Sequence, residues 1–143
     1  MLATGRGEVL RPLAALPECS IAVCKPRFSV STPELFAKLD RVRLRRHPDT
    51  NGIISALESG DLPGVCRRMY NVFEDVDDRR MRTVADIKRV LADAGALGAV
   101  MTGTGSAVFG IFNELSAAEN AAEALGKSYR CCYISANKTQ IEV

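Results

Sequence analysis

A run of glycines and hydroxyl side chains between two apolar segments places the strongest constraint on the fold of this chain. Residues 102–106 read Thr-Gly-Thr-Gly-Ser, with short apolar segments on either side. This pattern is typical of two strands joined by a tight loop. Glycine permits positive φ angles and close approach of a ligand, and successive N–H groups can converge on an anion. We therefore expect a strand, a candidate phosphate-binding loop and a second strand.

An ordinary hairpin turn explains the same spacing equally well. The loop is not a Walker A motif, because no lysine follows Gly105. It also does not open a helix, as a dinucleotide-binding fingerprint does. On spacing alone, the hairpin turn and the phosphate site both remain open.

The segment from Gly95 to Phe112 resembles the third conserved motif of the GHMP kinase superfamily. Thr102 and Thr104 stand where that motif usually has serine, so both positions keep a hydroxyl. The matching residues are Gly95, Ala96, Ala99, Met101, Gly103, Gly105, Ser106, Val108, Phe109, Gly110 and Phe112. The resemblance favours the phosphate-site interpretation.

Three other segments resemble the same superfamily, in the right order along the chain. They are Ala-Thr-Gly-Arg-Gly-Glu at 3–8, Lys-Pro-x-Phe-x-Val-Ser-Thr at 25–32 and Pro-Asp-Thr at 48–50. The resemblance extends over nearly the whole chain but only over the second half of such a kinase. The first half would carry a lysine near the substrate, a glycine-rich ATP loop and an aspartate base, and these motifs do not occur in the sequence. We expect residues 1–17 to be an extended arm from the junction with a missing N-terminal kinase domain, Met1 being a supplied start codon, and residues 18–143 to be the C-terminal domain.

The resemblance also implies an activity. It implies an ATP-dependent, Mg²⁺-requiring phosphotransferase that places the γ-phosphoryl group on the 2-hydroxyl of 4-diphosphocytidyl-2-C-methyl-D-erythritol, in non-mevalonate isoprenoid synthesis. Thr102, Gly103, Thr104, Gly105 and Ser106 would form its phosphate or substrate loop. No catalytic or metal-binding residue is implied in this half. We expect the chain alone to be inactive and to hold neither ATP nor Mg²⁺ tightly.

Composition agrees with one modest cytoplasmic domain. The 143 residues are 47% apolar, enough for one core. A net charge of +2 gives no field that would favour nucleic acid or a membrane, and the first residues do not form a signal peptide. The five cysteines are odd in number and lack a Cys-x-x-Cys pair, so neither a disulfide framework nor a zinc site is indicated.

The first elements are predicted from local signals. Residues 20–24 form an apolar, β-branched strand. Ser31 and Pro33 predict a helix start at which Glu34 reaches back to the cap. Apolar residues then mark one helical face at Leu35, Phe36, Leu39 and Val42.

Further helices and strands follow. Asp61 should cap a helix whose apolar positions run to Val76, and a second helix should end at Gly95 in a left-handed cap. Ser116 and Glu119 form a capping box before another helix. The last strand is predicted over 129–135 and a tail over 136–143.

With the inserted helices set aside, this order is βαββαβ, the ferredoxin-like pattern. It predicts an α+β fold with a four-stranded antiparallel sheet and helices on one face. The other face would be open to a partner or ligand, and a homodimer could form through it or through the arm.

Several weaker site signals have plainer explanations. Asp75, Asp77 and Asp78 lack the spacing of an EF-hand, which favours a solvated turn over a metal site. His47 has no catalytic or ligating partners at the right spacing, which favours a loop residue. RNA binding through the arginines at 41, 43, 45 and 46 is the least favoured function. Two further functions stay open: that of the same domain in another GHMP kinase, and that of a free-standing ferredoxin-like module that binds a small ligand or dimerises.

Overall fold

A four-stranded antiparallel sheet forms the centre of the molecule. The computed structural model describes residues 1–42, 44, 46–129 and 132–137, the last range by its backbone. The strands are β3 (Cys19–Cys24), β4 (Gly98–Met101), β5 (Val108–Phe112) and β6 (Cys132–Asn137). Their order is β4-β5-β3-β6, and every neighbouring pair is antiparallel. The predicted α+β fold with a four-stranded antiparallel sheet is confirmed.

The amino-terminal residues form a separate two-stranded hairpin. Strand β1 (Leu2–Thr4) pairs antiparallel with β2 (Val9–Arg11), where an extended arm was predicted. The side chains of Val9 and Leu10 are exposed on it. An isolated hairpin of this length is marginally stable by itself.

The carboxyl-terminal strand differs from its predicted range. Tyr129 precedes β6, and its N–H donates to the carbonyl oxygen of Leu125 at 2.7 Å. The strand extends to Asn137, so it includes the first two residues of the predicted tail. Residues 130, 131 and 138–143 of the predicted strand and tail lie outside the described residues.

Helices lie between the strands, mostly in the long connection after β3. They are α1 (Thr32–Leu39), α2 (Thr50–Glu58), α3 (Leu62–Arg68), a 3₁₀ helix (Val72–Asp75), α4 (Arg80–Asp93) and α5 (Leu115–Gly126). None of the described helices is both long and apolar enough to cross a membrane.

Helices α4 and α5 cover one face of the sheet. In α4, Val84, Ile87 and Leu91 recur at helical spacing and are fully or almost fully buried. They meet the inward side chains of the strands, among them Val108 and Phe112. Burying each large apolar side chain contributes about 1.5–3 kcal/mol. This core fixes the ends of β4 and β5, between which the glycine-rich loop lies.

The opposite face is partly covered, which corrects the expectation that it would be open. Leu62 and Cys66 of α3 pack against Cys19 and Ile111 of the sheet. A Cβ atom at Gly98 would come within 2.8 Å of the Cys66 carbonyl oxygen, so this glycine allows α3 to approach β4 closely. The helices inserted after β3 therefore occupy part of the face that the simple βαββαβ pattern leaves free.

The predicted helix caps at Asp61 and Gly95 are confirmed, and the capping box predicted at Ser116 is wrong. The Asp61 carboxylate accepts a hydrogen bond from the Gly64 N–H at 2.9 Å, and Gly95 follows α4 with a φ of 95°. The capping box at Ser116 does not form. The extended backbone ends at Glu114 and the helix begins at residue 115, so Ser116 already lies inside the first turn and cannot cap it.

The helix predicted from Leu62 to Val76 is two elements instead. Helix α3 ends at Arg68, and Asn71 has an extended backbone with φ −130° and ψ 115°. The chain leaves the helix because the Asn71 side chain bonds to the glycine-rich loop. A long-range contact here overrides the local apolar periodicity.

Candidate functional site

The glycine-rich loop closes the hairpin formed by β4 and β5. The Thr102 N–H donates across the hairpin to the Ala107 carbonyl oxygen at 2.9 Å, and the Gly105 N–H donates to the Thr102 carbonyl oxygen at 2.9 Å. Gly103 and Gly105 have φ angles of 54° and 88°, which side chains disfavour. The predicted strand, tight loop and strand are confirmed in this geometry.

The five predicted site residues lie together in this loop but differ in exposure. Thr102 and Gly103 are exposed, Thr104 and Gly105 are half-buried, and Ser106 has no exposed surface. The Gly105 N–H is used inside the loop. The N–H groups of Gly103 and Thr104 donate to no residue that the structure describes. These two N–H groups are therefore the ones left for an anion.

Ser106 fixes the loop from the inside. Its hydroxyl lies 2.6 Å from the Phe28 carbonyl oxygen and 3.3 Å from that of Pro26, so it can donate to either. Both acceptors belong to the segment that leads from β3 to α1. This buried hydroxyl holds the loop against the start of the long connection, and a role in direct ligand contact does not fit its burial.

The first turn of α1 lies against the loop. The hydroxyl oxygens of Thr32 and Thr104 are 3.1 Å apart. A helix N-terminus carries a partial positive charge and free N–H groups. The predicted cap is absent, since Ser31 makes no side-chain cap hydrogen bond and Glu34 bonds to Arg80 instead of reaching back. The fold thus brings two sets of backbone N–H groups to one corner.

Asn71 contacts the loop and Glu74 contacts the end of β4 beside it, and sequence reasoning missed both. The Asn71 side-chain amide donates to the carbonyl oxygens of Met101 at 2.7 Å and Gly103 at 2.8 Å. A Glu74 carboxylate oxygen accepts from the Met101 N–H at 2.6 Å, and its other oxygen pairs with Lys88. The only local signal was that asparagine is a poor residue for a helix interior.

A charged cluster anchors α1 to the start of α4. Asp78 is 7% exposed, and its carboxylate accepts from Arg80 at 2.6 Å and from Lys38 at 2.7 Å. The Arg80 guanidinium holds the pKa of the Asp78 carboxyl well below its ordinary value, with Lys38 adding to the effect. The solvated acidic turn predicted here is wrong for Asp78, because these two cations compensate its burial.

An apolar groove of about 480 Å³ lies beside the loop, lined by Ile53, Met69, Phe73, Val100, Gly103 and Phe109 among others. Phe109 is only half-buried, whereas Phe112 is fully buried, as expected of a core residue. Phe36, predicted on the buried face of α1, is 49% exposed and meets Phe73 edge-on with ring centroids 5.0 Å apart. Only Leu35 of that predicted face is buried, and Val42 lies beyond the end of α1 at residue 39.

The other candidate residues that the structure describes form no second site. His47 lies in an exposed loop, as predicted. Arg46 pairs with Asp75, and Arg43 and Arg45 lie outside the described residues. Cys19, Cys24 and Cys66 are buried free thiols. Across the described ranges there is no group of three or more His, Cys, Asp or Glu side chains that could hold a metal ion.

Comparison with known proteins agrees with this geometry. Residues 53–131 match the family model for the C-terminal part of GHMP kinases. The 4-diphosphocytidyl-2-C-methyl-D-erythritol kinases of Alkaliphilus metalliredigens and Clostridium perfringens are 36% and 37% identical to the chain over 129 residues. Each match includes 90% of this chain but only 44% and 45% of the relative. The chain therefore spans somewhat less than half the length of these relatives.

Solved structures show the same fold. A crystal structure of 4-(cytidine 5'-diphospho)-2C-methyl-D-erythritol kinase superposes with a TM-score of 0.73 at 27% identity, over 92% of this chain and 47% of that one. The L. major mevalonate kinase, solved in complex with R-mevalonate, superposes with a TM-score of 0.69 at 17% identity, over 90% of this chain and 45% of that one. The chain belongs to the family of GHMP kinase C-terminal domains.

Proposed function

We propose that this chain is the C-terminal domain of an ATP-dependent kinase that phosphorylates the 2-hydroxyl of 4-diphosphocytidyl-2-C-methyl-D-erythritol. The observation that carries the proposal is the corner where the glycine-rich loop meets α1. Two loop N–H groups that donate to no described residue lie there with a helix N-terminus, beside the hydroxyls of Thr32 and Thr104. The names of the relatives, at 36–37% identity, support the substrate.

This corner suits the chemistry of phosphoryl transfer. Negative charge is spread over the oxygens of the transferring group, and fixed donors stabilise it without reorganising. The N–H groups of Gly103 and Thr104 would bind these oxygens, and the Thr102 hydroxyl would add a donor. Gly103 matters as glycine because its φ of 54° disfavours a side chain.

The proposed enzyme would use ATP and Mg²⁺, and no residue of this chain is proposed as a metal ligand. The catalytic base and lysine are assigned to an N-terminal domain, since no motif for them occurs in this chain. Residues 1–17 would join the two domains, with the hairpin of β1 and β2 at the junction and 18–143 forming the C-terminal domain. The three buried free thiols support a cytoplasmic enzyme.

A hybrid enzyme tests this function. The N-terminal part of the C. perfringens kinase is joined ahead of residue 2, and transfer from ATP·Mg²⁺ to 4-diphosphocytidyl-2-C-methyl-D-erythritol is measured. We expect transfer by the hybrid and none by the chain alone. The double variant Gly103→Val, Gly105→Val should lower kcat/KM by about 100-fold or more, as removal of transition-state donors does.

Control experiments test separately which alcohol is the substrate and whether the loop of this domain binds phosphate by itself. Homoserine and mevalonate are offered in place of the proposed substrate, because other GHMP kinases act on other small alcohols. Calorimetry of the chain alone with ATP·Mg²⁺ shows whether the loop binds phosphate without the other half. A folded hybrid that binds ATP but transfers to none of these alcohols would contradict the proposal, and transfer only to another alcohol would replace its substrate.

A further inference from the structure

Side chains form hydrogen bonds to the outer edge of β4, at the position where another strand would otherwise pair. Strand β4 lies at the edge of the sheet. Thr102 bonds across the hairpin to Ala107, so the backbone groups of the preceding residue, Met101, point outward. Glu74 accepts from its N–H at 2.6 Å and Asn71 donates to its carbonyl oxygen at 2.7 Å. Asn71 and Glu74 thus supply the donor and the acceptor that the backbone of another strand would supply.

The second donor of Asn71 extends this contact into the loop. It bonds to the carbonyl oxygen of Gly103 at 2.8 Å. The peptide bond between Gly103 and Thr104 is trans and planar, so its C=O and N–H point in opposite directions. Fixing the Gly103 carbonyl toward Asn71 therefore fixes the Thr104 N–H away from Asn71. The peptide between Met101 and Thr102 shows the same relation, with its two groups bonded on opposite sides.

The side chain of Asn71 is itself held in place. Its oxygen accepts from the Phe73 N–H at 3.0 Å, which opens the 3₁₀ helix. Both amide donors and the amide oxygen are thus used at once. Aspartate has the same shape but no donors when ionised, and serine is too short to bridge two carbonyls while still able to accept from a nearby N–H.

We propose that Asn71 is a positioning residue that aims the Thr104 N–H at the transferring phosphoryl group. The inference rests on the proposed function, because the phosphoryl group is the one transferred in the proposed kinase reaction. Asn71 does not touch the substrate in this proposal. It acts through the Gly103 carbonyl, while Glu74 fixes the adjacent end of β4.

The first test measures loop geometry on this chain without nucleotide. Amide hydrogen exchange is followed by NMR at Thr102 and Gly105, whose N–H groups are bonded within the hairpin and loop. Asn71→Asp and Asn71→Ser should each accelerate exchange there by about tenfold or more, the ratio expected when a hydrogen bond of ordinary strength is lost. Asp61→Ala, which removes a helix cap distant in sequence from the loop, is the control for a general loss of stability.

The second test measures catalysis in the hybrid enzyme. Both Asn71 variants should lower kcat by about 100-fold, the scale of a misplacement of about 1 Å, with a much smaller change in KM. Asp86→Asn, which breaks only an exposed ion pair with Arg89, is the control and should retain the kcat of the original hybrid. If Asn71→Asp begins to donate on protonation, part of the lost kcat should return as the pH falls, whereas Asn71→Ser should show no such recovery.

The outcomes distinguish this inference from the proposed function. Exchange at Thr102 and Gly105 that matches the Asp61→Ala control would overturn it, whatever the kinetics. Faster exchange with an unchanged kcat would also overturn it, because the loop would then tolerate the lost contact. Faster exchange in the chain, together with a hybrid that transfers no phosphoryl group in any form, would instead reject the proposed function, and with it the catalytic purpose of the contact.

Discussion

The molecule contains two hairpins with a Gly-x-Gly turn, and they are fixed in different ways. Gly5 and Gly7 lie in the first turn and Gly103 and Gly105 in the second, all with positive φ. The first turn is held by a carboxylate of its own, since Glu8 accepts from a backbone N–H two residues before it. The second is held by side chains and carbonyl groups from distant parts of the chain.

The two hairpins differ in how far apart in the sequence their contacting residues lie. The contacts of Thr104 with Thr32 and of Ser106 with Pro26 join residues 72 and 80 positions apart. Glycine spacing alone specifies a turn, and it does so equally well in both hairpins. A loop with fixed outward N–H groups needs the distant contacts as well, so only the second hairpin is a candidate site.

The largest effect should come from breaking the cluster that anchors α1, and through it Thr32, beside the second hairpin. Asp78→Asn should lower the free energy of unfolding by about 3 kcal/mol, because it leaves Arg80 and Lys38 without their buried partner. Urea denaturation measures this. Asp86→Asn breaks an exposed pair with Arg89 and should cost about 0.5 kcal/mol or less. Equal losses in the two variants would contradict the anchoring role.

The ion pairs of Asp78 also predict that the free energy of unfolding depends on pH. The pKa of Asp78 is lower in the folded than in the unfolded chain, so the pairing stabilises the fold above about pH 4. The stabilisation is lost as the pH falls below that value. The difference in unfolding free energy between the original chain and Asp78→Asn should therefore be constant near neutral pH and shrink below about pH 4. A difference that persists undiminished at pH 2 would show that packing, not charge, is responsible.

A smaller loss is expected from the buried hydroxyl of the second hairpin. Ser106→Ala removes the donor to Phe28 and Pro26 inside the molecule, and should cost about 2 kcal/mol in unfolding free energy. Ser59→Ala removes a hydroxyl bonded to a carbonyl three residues away and should cost less than about 1 kcal/mol. Similar costs would mean that the distant contact adds nothing to a local one.

The smallest effect should be at the first hairpin. Glu8→Ala removes the exposed carboxylate that holds its turn and should change the free energy of unfolding by about 0.5 kcal/mol or less. Amide exchange at Arg6 should accelerate, while exchange at Thr102 and Gly105 stays unchanged. A response at the second hairpin would show that the two turns are coupled.

Local signals in the sequence predicted the parts of the fold that depend on neighbouring residues. Gly95 ends α4 because a left-handed residue closes a helix, and Asp61 caps α3 because its carboxylate reaches an N–H three residues ahead. The glycine-rich hairpin was predicted for the same kind of reason. Each signal needs only a few adjacent residues.

Long-range partners could not be predicted from such signals. Asn71 lies 30 residues from Met101 and 32 from Gly103, and nothing near it in the sequence indicates those contacts. The periodicity around it favours a helix, which the loop contacts override. Asp78 looked like a solvated residue because one of its two partners, Lys38, lies 40 positions away, and the nearby Arg80 does not by itself indicate that the carboxylate is buried. The loop was predictable from the sequence, whereas the residues that hold it were not.

The contacts of the second hairpin also have a direction along the chain. Apart from its hairpin partner Ala107, the described residues whose side chains or carbonyl groups bond to the loop from outside it all precede it: Pro26, Phe28, Thr32 and Asn71. A ribosome makes the chain from its amino end, and domains can begin to fold during synthesis. These four partners therefore already exist when the loop is synthesised, and only its hairpin partner Ala107 remains to be made.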